Sequence, residues 1–557
     1  MRRGKMAVWL LTAFFLAVSI FVGLRDRTPD AALFSVRISS DGRTETIDCW
    51  ENEEGEAFVF LPSYAQPSGT QIHLNGSRKV SVNGIRLTDG MTGDCFAWNV
   101  PSEMTASGHG STRLTVSHSG NVATLYIRVG SGDMEYIHQK KGNRESGSLS
   151  LYTADGQVDY AGMFASLEGH GNSSWNLEKK SYNLTLSSPQ DLLGMGGAQK
   201  WILLANGYDA SHLRNKLLYE LAGDMGLAYS PDSRWVDLYL NGRYAGLYLL
   251  CERNEVAPNR VELADQGSFL VSKEWEWRME EQGIPFLMTR ANTALRVHDA
   301  TMPADEVLRR IQTAENAILS PDGIDPETGK HWRECIDTDS WVRKYLFEEV
   351  FANVDGQSLS QFFYCDGADP SGKIFAGPVW DYDLAMGNEI AIAWPAEGMF
   401  FVNKPDIWGS DWYPALYRDP ELYRQVVEQY ARIVRPLLEE LLESGIPANA
   451  SRIASAAAMN QLRWPHQNAV EETERILVYM TGRMEFLDSV WLRQEPYVYV
   501  LATIPEGASY YYALHPGESL PQLLDDSGWW EDSGTGEIFD PSQPLEQDVS
   551  ILFRLRE

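Results

Sequence analysis

Two short acidic runs carry the strongest chemical signal in the chain. Asn353-Val354-Asp355 follows a hydrophobic helical run, and Asp381-Tyr382-Asp383 follows the strand-like run from Ile374 to Trp380, which contains Pro378. Carboxylate oxygens are the hard ligands that Mg2+ prefers, usually one or two per ion with phosphates and waters completing the shell. An acid on a post-helix loop together with an acid on a post-strand turn suits a base and a metal ligand serving one phosphoryl transfer. A lone D-x-D also makes ordinary polar turns. Paired carboxylates also serve metal-assisted hydrolases and glycosidases, where the separation of the two groups in space decides the chemistry.

A second constellation lies upstream. Glu168-Gly-His-Gly-Asn-Ser-Ser-Trp175 has the glycines and small polar residues of a loop whose backbone N–H groups face an anion. Lys179 and Lys180 follow, then a strand in which side chains alternate faces. Lys180 shares parity with Tyr182, Leu184 and Leu186, so Lys180 rather than Lys179 is expected on the apolar face. A lysine there calls for an anionic partner, because an unpaired buried charge is costly. A kinase uses such a lysine on the α- and β-phosphates; an ordinary strand lysine simply snorkels. Glu220, near the apolar stripe of the next helix, is the candidate ion-pair partner of Lys180, or else an exposed helix-flank residue.

The elements that must position these groups can be read in outline. The helix expected from His212 to Met225 places Leu213, Leu217, Leu221 and Met225 on one face, with Gly226 as its terminator. Arg234 to Leu250 reads as a hairpin around Asn241-Gly242, which suits a type I′ turn. Residues 33–135 read as an all-β sandwich, with alternating runs such as Phe34–Ile38 and Thr124–Val129 and turns at Asn75-Gly76, Asn83-Gly84 and Asp89-Gly90. The polar stretch Gln139–Gly147 resembles a linker. Residues 148–495 pass from strands to helices, and 496–557 turn β-rich again.

Bulk properties narrow the setting. A chain of 557 residues exceeds one hydrophobic core. Its net charge of −30 repels nucleic acid and anionic lipid, so an anionic nucleotide must be held by local charges and metal. Arg2, Arg3 and Lys5 precede an uncharged apolar run from Met6 to Leu24. That run approaches the ~20 residues of a membrane-spanning helix, and no convincing cleavage site follows it. Residues 1–30 therefore read as a signal anchor in the cytoplasmic membrane, with the rest outside at the bacterial cell surface. The five cysteines form no CxxC pair, which gives no support to zinc. Cys49 and Cys95 lie in one small domain and could pair, but the odd total and sparse use argue against a disulfide-dependent fold.

Four blocks in order resemble the CotH (spore coat protein H) kinase family over about residues 150–490. They are Gly171-Asn-Ser-Ser-Trp175 with Lys179-Lys-Ser-Tyr182; Trp201-Ile-Leu-Leu-Ala-Asn206 with Asp209 and Leu213-Arg-Asn215; Val236–Leu250 with Glu252; and Trp380-Asp-Tyr-Asp383 with Gly387. The resemblance implies an α+β fold with a two-lobed atypical protein-kinase-like core, a β-rich N-lobe and a helical C-lobe, between the N-terminal sandwich and a small C-terminal β domain. It implies ATP, Mg2+ or Mn2+, and transfer to Ser or Thr of secreted, coat or cell-surface proteins. Asp355 and Lys180 would be catalytic. Gly171, Asn172, Ser173, Lys180, Glu220 and Glu252 would bind nucleotide, with Glu252 near the hinge. Asp381, Asp383 and Gln361 would hold metal. His170 stands where the family usually has Arg, and Ser360 or Gln361 stands in for its usual Asn after the catalytic-loop Asp. Those departures favour the alternative of a catalytically silent surface protein. The tail, with Gly528-Trp529-Trp530 and Phe539-Asp540, resembles a Listeria–Bacteroides surface repeat.

Overall fold

The computed structural model describes residues 32–75, 79–108, 110–356, 359–388, 395–399, 412–417, 419–492, 498–503, 509–514, 516–520 and 528–555. The apolar run from Met6 to Leu24, Gly76 and His515 lie outside them. No helix among the described residues is long and apolar enough to cross a membrane. The fold is α+β and divides into two compact units.

The first unit comprises the described residues up to Tyr219 with Pro231–Arg260 and Ser444–Glu474. Its N-terminal strands are β1 (Phe34–Ser40), β2 (Arg43–Asp48), β3 (Trp50–Glu51), β4 (Ala57–Leu61), β5 (Thr70–Leu74), β6 (Val80–Val82), β7 (Ile85–Arg86), β8 (Ser102–Ala106) and β9 (Gly110–His118). They form a sheet ordered β2-β1-β5 and a second ordered β3-β4-β9-β8-β6-β7. Val36 and Ile38 of one sheet and Val59, Val82 and Val116 of the other share one core. At Asn83-Gly84 both residues have positive φ and Val82 pairs with Ile85, the two-residue turn their types demand.

A closed seven-stranded barrel follows, ordered β10-β11-β12-β13-β14-β16-β15. Its strands are β10 (Ala123–Val129), β11 (Arg144–Tyr152), β12 (Val158–His170), β13 (Ser181–Asp191), β14 (Gly197–Leu204), β15 (Ser233–Leu240) and β16 (Arg243–Glu252). The run Thr124–Val129 thus opens the barrel, pairing with β11 and, in parallel, with β15. Arg144 to Gly147 are strand rather than linker. Their outer positions are exposed, so backbone pairing holds a segment whose polarity suggested a loop. The β15–β16 hairpin turns at Asn241-Gly242 with φ of 50° and 85°. The helix Arg214–Asp224 ends as its glycine requires: Leu227 N–H returns to the Ala222 carbonyl at 2.9 Å around Gly226 at φ 76°.

The second unit comprises the described residues of Glu220–Ser230, Val261–Glu443 and Arg475–Glu557. Its five-stranded sheet has β17 (Phe269–Lys273) at the centre, between β19 (Ala294–Ala300) and β20 (Gln361–Cys365), with β18 (Phe286–Met288) and β21 (Phe375–Ala376) at the edges. Helices Ala304–Leu319 and Thr338–Phe351 belong to it. The strand-like run from Ile374 to Trp380 forms only the short β21. A C-terminal sheet is ordered β23-β22-β26-β24-β25, from β22 (Val498–Thr503), β23 (Ser509–Leu514), β24 (Gly528–Asp532), β25 (Ile538–Phe539) and β26 (Val549–Leu555). All five cysteines are free, Cys49 and Cys95 included.

Candidate functional site

The second unit brings the two acidic runs together. The helix Thr338–Phe351 is capped by Asp337, whose carboxylate accepts Ser340 N–H at 2.9 Å, and it ends in a left-handed Ala352. Asn353, buried in the following turn, joins the two loops. Its Nδ2 donates to the Asp381 carbonyl at 3.1 Å, and its Oδ1 accepts Asp355 N–H at 3.3 Å. Asp381 sits at φ 68°, a conformation that aspartate tolerates better than most residues. Ser360 Oγ donates to Asp381 Oδ2 at 3.2 Å. Burial, with the negative charge of Asp355, raises the Asp381 carboxyl to about 6, while Ser360 and Arg278 act the other way.

Tyr382, between the two acids, is fully buried. Its hydroxyl donates to Glu348 Oε1 at 2.5 Å and accepts Lys344 Nζ at 2.7 Å, and Lys344 also pairs with Glu348. Gln361 joins the same network, donating from Nε2 to Glu348 Oε1 at 3.2 Å. Lys344, Glu348, Tyr382 and Gln361 are all buried. Gln361 therefore forms part of the wall behind the acidic loops, and Ser360 is the residue that reaches the Asp381 carboxylate. Asp383 is half-buried, and its carbonyl accepts Asn388 Nδ2 at 2.7 Å.

Two residues that sequence reasoning missed belong beside Asp381. Lys273 pairs with Gln361 across β17 and β20, so Glu274 leaves the sheet opposite Ser360. Glu274 accepts Ser272 Oγ at 3.0 Å. Burial raises its carboxyl to about 7, with Asp381 pushing the same way and Arg278 and Arg296 opposing. Arg278 lies on the short helix Glu276–Gln282, its guanidinium 4.7 Å from the centroid of Trp275 and 5.4 Å from that of Trp277. The run Trp275-Glu-Trp-Arg278 after an apolar strand was a visible clue, but its neighbours Ser360 and Asp381 stand some 80 to 110 residues downstream.

The upstream motif lies in the first unit. Gly171, at φ 92°, turns the chain out of β12, and a Cβ there would collide with Ser174. Ser173 opens the single turn Ser173–Asn176, and Asn172 Oδ1 accepts Lys141 Nζ at 3.2 Å. The lysine parity comes out reversed. Lys179 is buried and Lys180 is partly exposed, although Tyr182, Leu184 and Leu186 do face the core. The strand begins at Ser181, so both lysines still belong to the turn and strand alternation does not reach them. Lys180 Nζ donates to the Trp175 and Leu177 carbonyls at 2.9 and 3.0 Å and lies over the Trp175 ring. Lys179 Nζ donates to Leu247 O, Asn460 Oδ1 and Gln467 Oε1 at 2.8, 2.9 and 3.2 Å. Burial holds that amine well below its ordinary value. Burial likewise lowers His170 to about 4, leaving it neutral near pH 7. Glu252 has both oxygens engaged, one with Arg260 and one accepting Asp232 N–H at 2.9 Å. Glu220 is exposed.

Residues 167–487, more than half of the chain, match the family model described as CotH kinase protein. The chain belongs to the CotH kinase family. No curated protein matches it. Seen as CotH blocks, several of the quoted motifs build scaffold. Asp209 accepts the Arg214 backbone N–H at 2.9 Å and pairs with its guanidinium at 2.7 Å, fixing the start of the helix Arg214–Asp224. Gly246 of the hairpin block has φ 127°, and a Cβ there would lie 2.7 Å from both Asn460 Oδ1 and Lys179 Cε. In the CotH block around Trp380–Asp383, the Asp381 carboxyl feels the charge of Asp355 from the other acidic run.

Proposed function

We propose that this CotH-family chain is an extracytoplasmic protein kinase, anchored in the membrane by its N-terminal apolar run. It transfers the γ-phosphoryl group of ATP to Ser or Thr of secreted, coat or cell-surface proteins with Mg2+ or Mn2+. The observation that carries this reading is the joining of the Asp355 and Asp381 loops by Asn353, with burial first and the charge of Asp355 second raising the Asp381 carboxyl to about 6. Like charges so placed are relieved by a proton or a cation, and one or two carboxylates are what Mg2+ takes alongside phosphate.

Asp381 would hold the cation, with Asp383 and Ser360 beside it; the cation supplies charge neutralisation for the triphosphate. Asp355 accepts the proton of the acceptor hydroxyl as its oxygen bonds the γ-phosphorus and the β–γ bridging oxygen departs with ADP. Asn353 holds both loops at fixed spacing. Gly171, Asn172, Ser173, Lys180, Glu220 and Glu252 form the nucleotide-binding side in a two-lobed arrangement. Lys180 must exchange two carbonyl partners for phosphate oxygens. The C-terminal sheet serves attachment at the cell surface as a repeat-like module.

A catalytically silent surface protein is the second reading, favoured by a neutral His170 and by the inward Gln361. Labelled ATP with Mg2+ or Mn2+, with and without an acceptor protein, separates the two. Label transfer that disappears in Asp381→Ala supports the kinase. Failure of the wild-type chain to bind nucleotide with either metal supports the silent protein.

A further inference from the structure

Arg278 is a cation beside carboxylates that does not pair with them. It lies four residues after Glu274, which leaves β17 opposite Ser360, the residue that donates to Asp381, and its charge acts on both carboxylates. Yet among the described residues its guanidinium makes neither an ion pair nor a hydrogen bond, and its contacts are the Trp275 and Trp277 rings. Those rings stack on each other at 5.7 Å and 29°. Arginine near carboxylate ordinarily closes into a bidentate fork. Here the planar group is instead laid against aromatic faces, which leaves its N–H edge available. Trp277 is 44% exposed, so the platform opens to solvent.

The surrounding charges restrict what can occupy this place. A bare anion meets Asp355, Asp381 and Glu274. A bare cation at Asp381 meets the opposing field of Arg278. A ligand carrying metal and phosphate together satisfies both sides, the metal on the carboxylates and a phosphate oxygen on the guanidinium. We infer that Arg278, held on the Trp275–Trp277 platform, is a phosphate-binding residue that clamps the metal-bound phosphoryl group at the Asp355–Asp381 site. Arg278 thus supplies, from the acidic side of the site, a fixed positive charge on the group being transferred. The inference rests on the kinase reading and adds to it the residue that holds the phosphoryl group.

The test compares the full chain with Arg278→Ala and Arg278→Lys, using Mn2+ alone and Mn2+ with a non-hydrolysable ATP analogue. Binding is followed by calorimetry and by the Mn2+ paramagnetic resonance signal, and far-ultraviolet circular dichroism checks the fold. Arg278→Ala is expected to bind Mn2+ alone as tightly as wild type or more tightly, because a repelling charge is gone. It is expected to bind the Mn2+–nucleotide roughly tenfold to a hundredfold more weakly, the loss of charged hydrogen bonds. Arg278→Lys, with a point charge and no fork, is expected to fall between them. Equal Mn2+–nucleotide affinity in wild type and Arg278→Ala overturns the role of Arg278 and leaves the kinase reading standing. A wild-type chain that binds neither Mn2+ nor the Mn2+–nucleotide overturns both. Weaker binding of Mn2+ alone in a folded Arg278→Ala also overturns the inference, since it assigns Arg278 to the shape of the carboxylate site.

Discussion

Asp381 keeps its proton to about 6 because burial, and second the charge of Asp355, disfavour its ionised form. A folded-state value above the ordinary 3.8 adds stability that is complete below that ordinary value and is lost as pH rises through about 6. Glu274 adds a term of the same sign, lost as pH rises through about 7. A divalent ion on Asp381 replaces the proton, so its benefit appears where the proton is gone. Mn2+ at a hundredfold excess over its Kd is expected to stabilise the chain by about 2.7 kcal/mol at neutral pH. Thermal melting should show a far smaller gain near pH 5 and little gain in Asp381→Asn. Equal shifts at both pH values would remove the cation from Asp381. Asp355 and Asp381 were legible because each follows a break in an apolar run. Glu274 and Arg278 were not, because only the pairing of β17 with β20 brings them to Asp381.

At the scale of elements, the decisive joint in the first unit is the one Lys179 makes. Its amine ties the turn before β13 to the Leu247 carbonyl of β16 and to Asn460 on the helix Ile446–Arg463. Asn460 Oδ1 also accepts Leu247 N–H at 3.0 Å, and Gly246 leaves room for the approach. Lys179→Met is expected to cost about 1–3 kcal/mol, the range for leaving buried hydrogen-bond acceptors unsatisfied. The loss should appear as a lower urea midpoint and faster hydrogen exchange along Ile446–Arg463. Lys180→Met should cost less than about 1 kcal/mol, since that amine is partly exposed. A reversed order would return the buried role to Lys180. The hairpin at Asn241-Gly242 and the helix ending at Gly226 were readable because turn chemistry is local. The lysine parity was not, because a single turn of helix intervenes and alternation starts only at Ser181.

At the scale of the molecule, the N-terminal sheets of the first unit close their core on tyrosines of the barrel strands, while the barrel interior is a separate cluster. Tyr126, Tyr152, Tyr239, Tyr244 and Met459 complete the core built by Phe34, Val59 and Phe60. Glu45, buried, pairs with Arg128 and accepts the Tyr152 hydroxyl at 3.0 Å, while the Tyr239 hydroxyl donates to Phe60 O at 3.0 Å. A fragment ending at residue 135 keeps Tyr126 and Arg128 but loses the other aromatic partners. It is expected to unfold without a cooperative urea transition and to bind a hydrophobic dye, and a sharp two-state transition would contradict this. Sequence alternation identified these strands but not their dependence, because the partners lie from 62 to 179 residues away in the chain. The parallel seam of β10 with β15 has the same character. During synthesis β10 must wait, one edge unpaired, until some 110 residues more have emerged. The chain therefore has a long window in which an early strand can pair wrongly, and a holding chaperone would matter most in that interval.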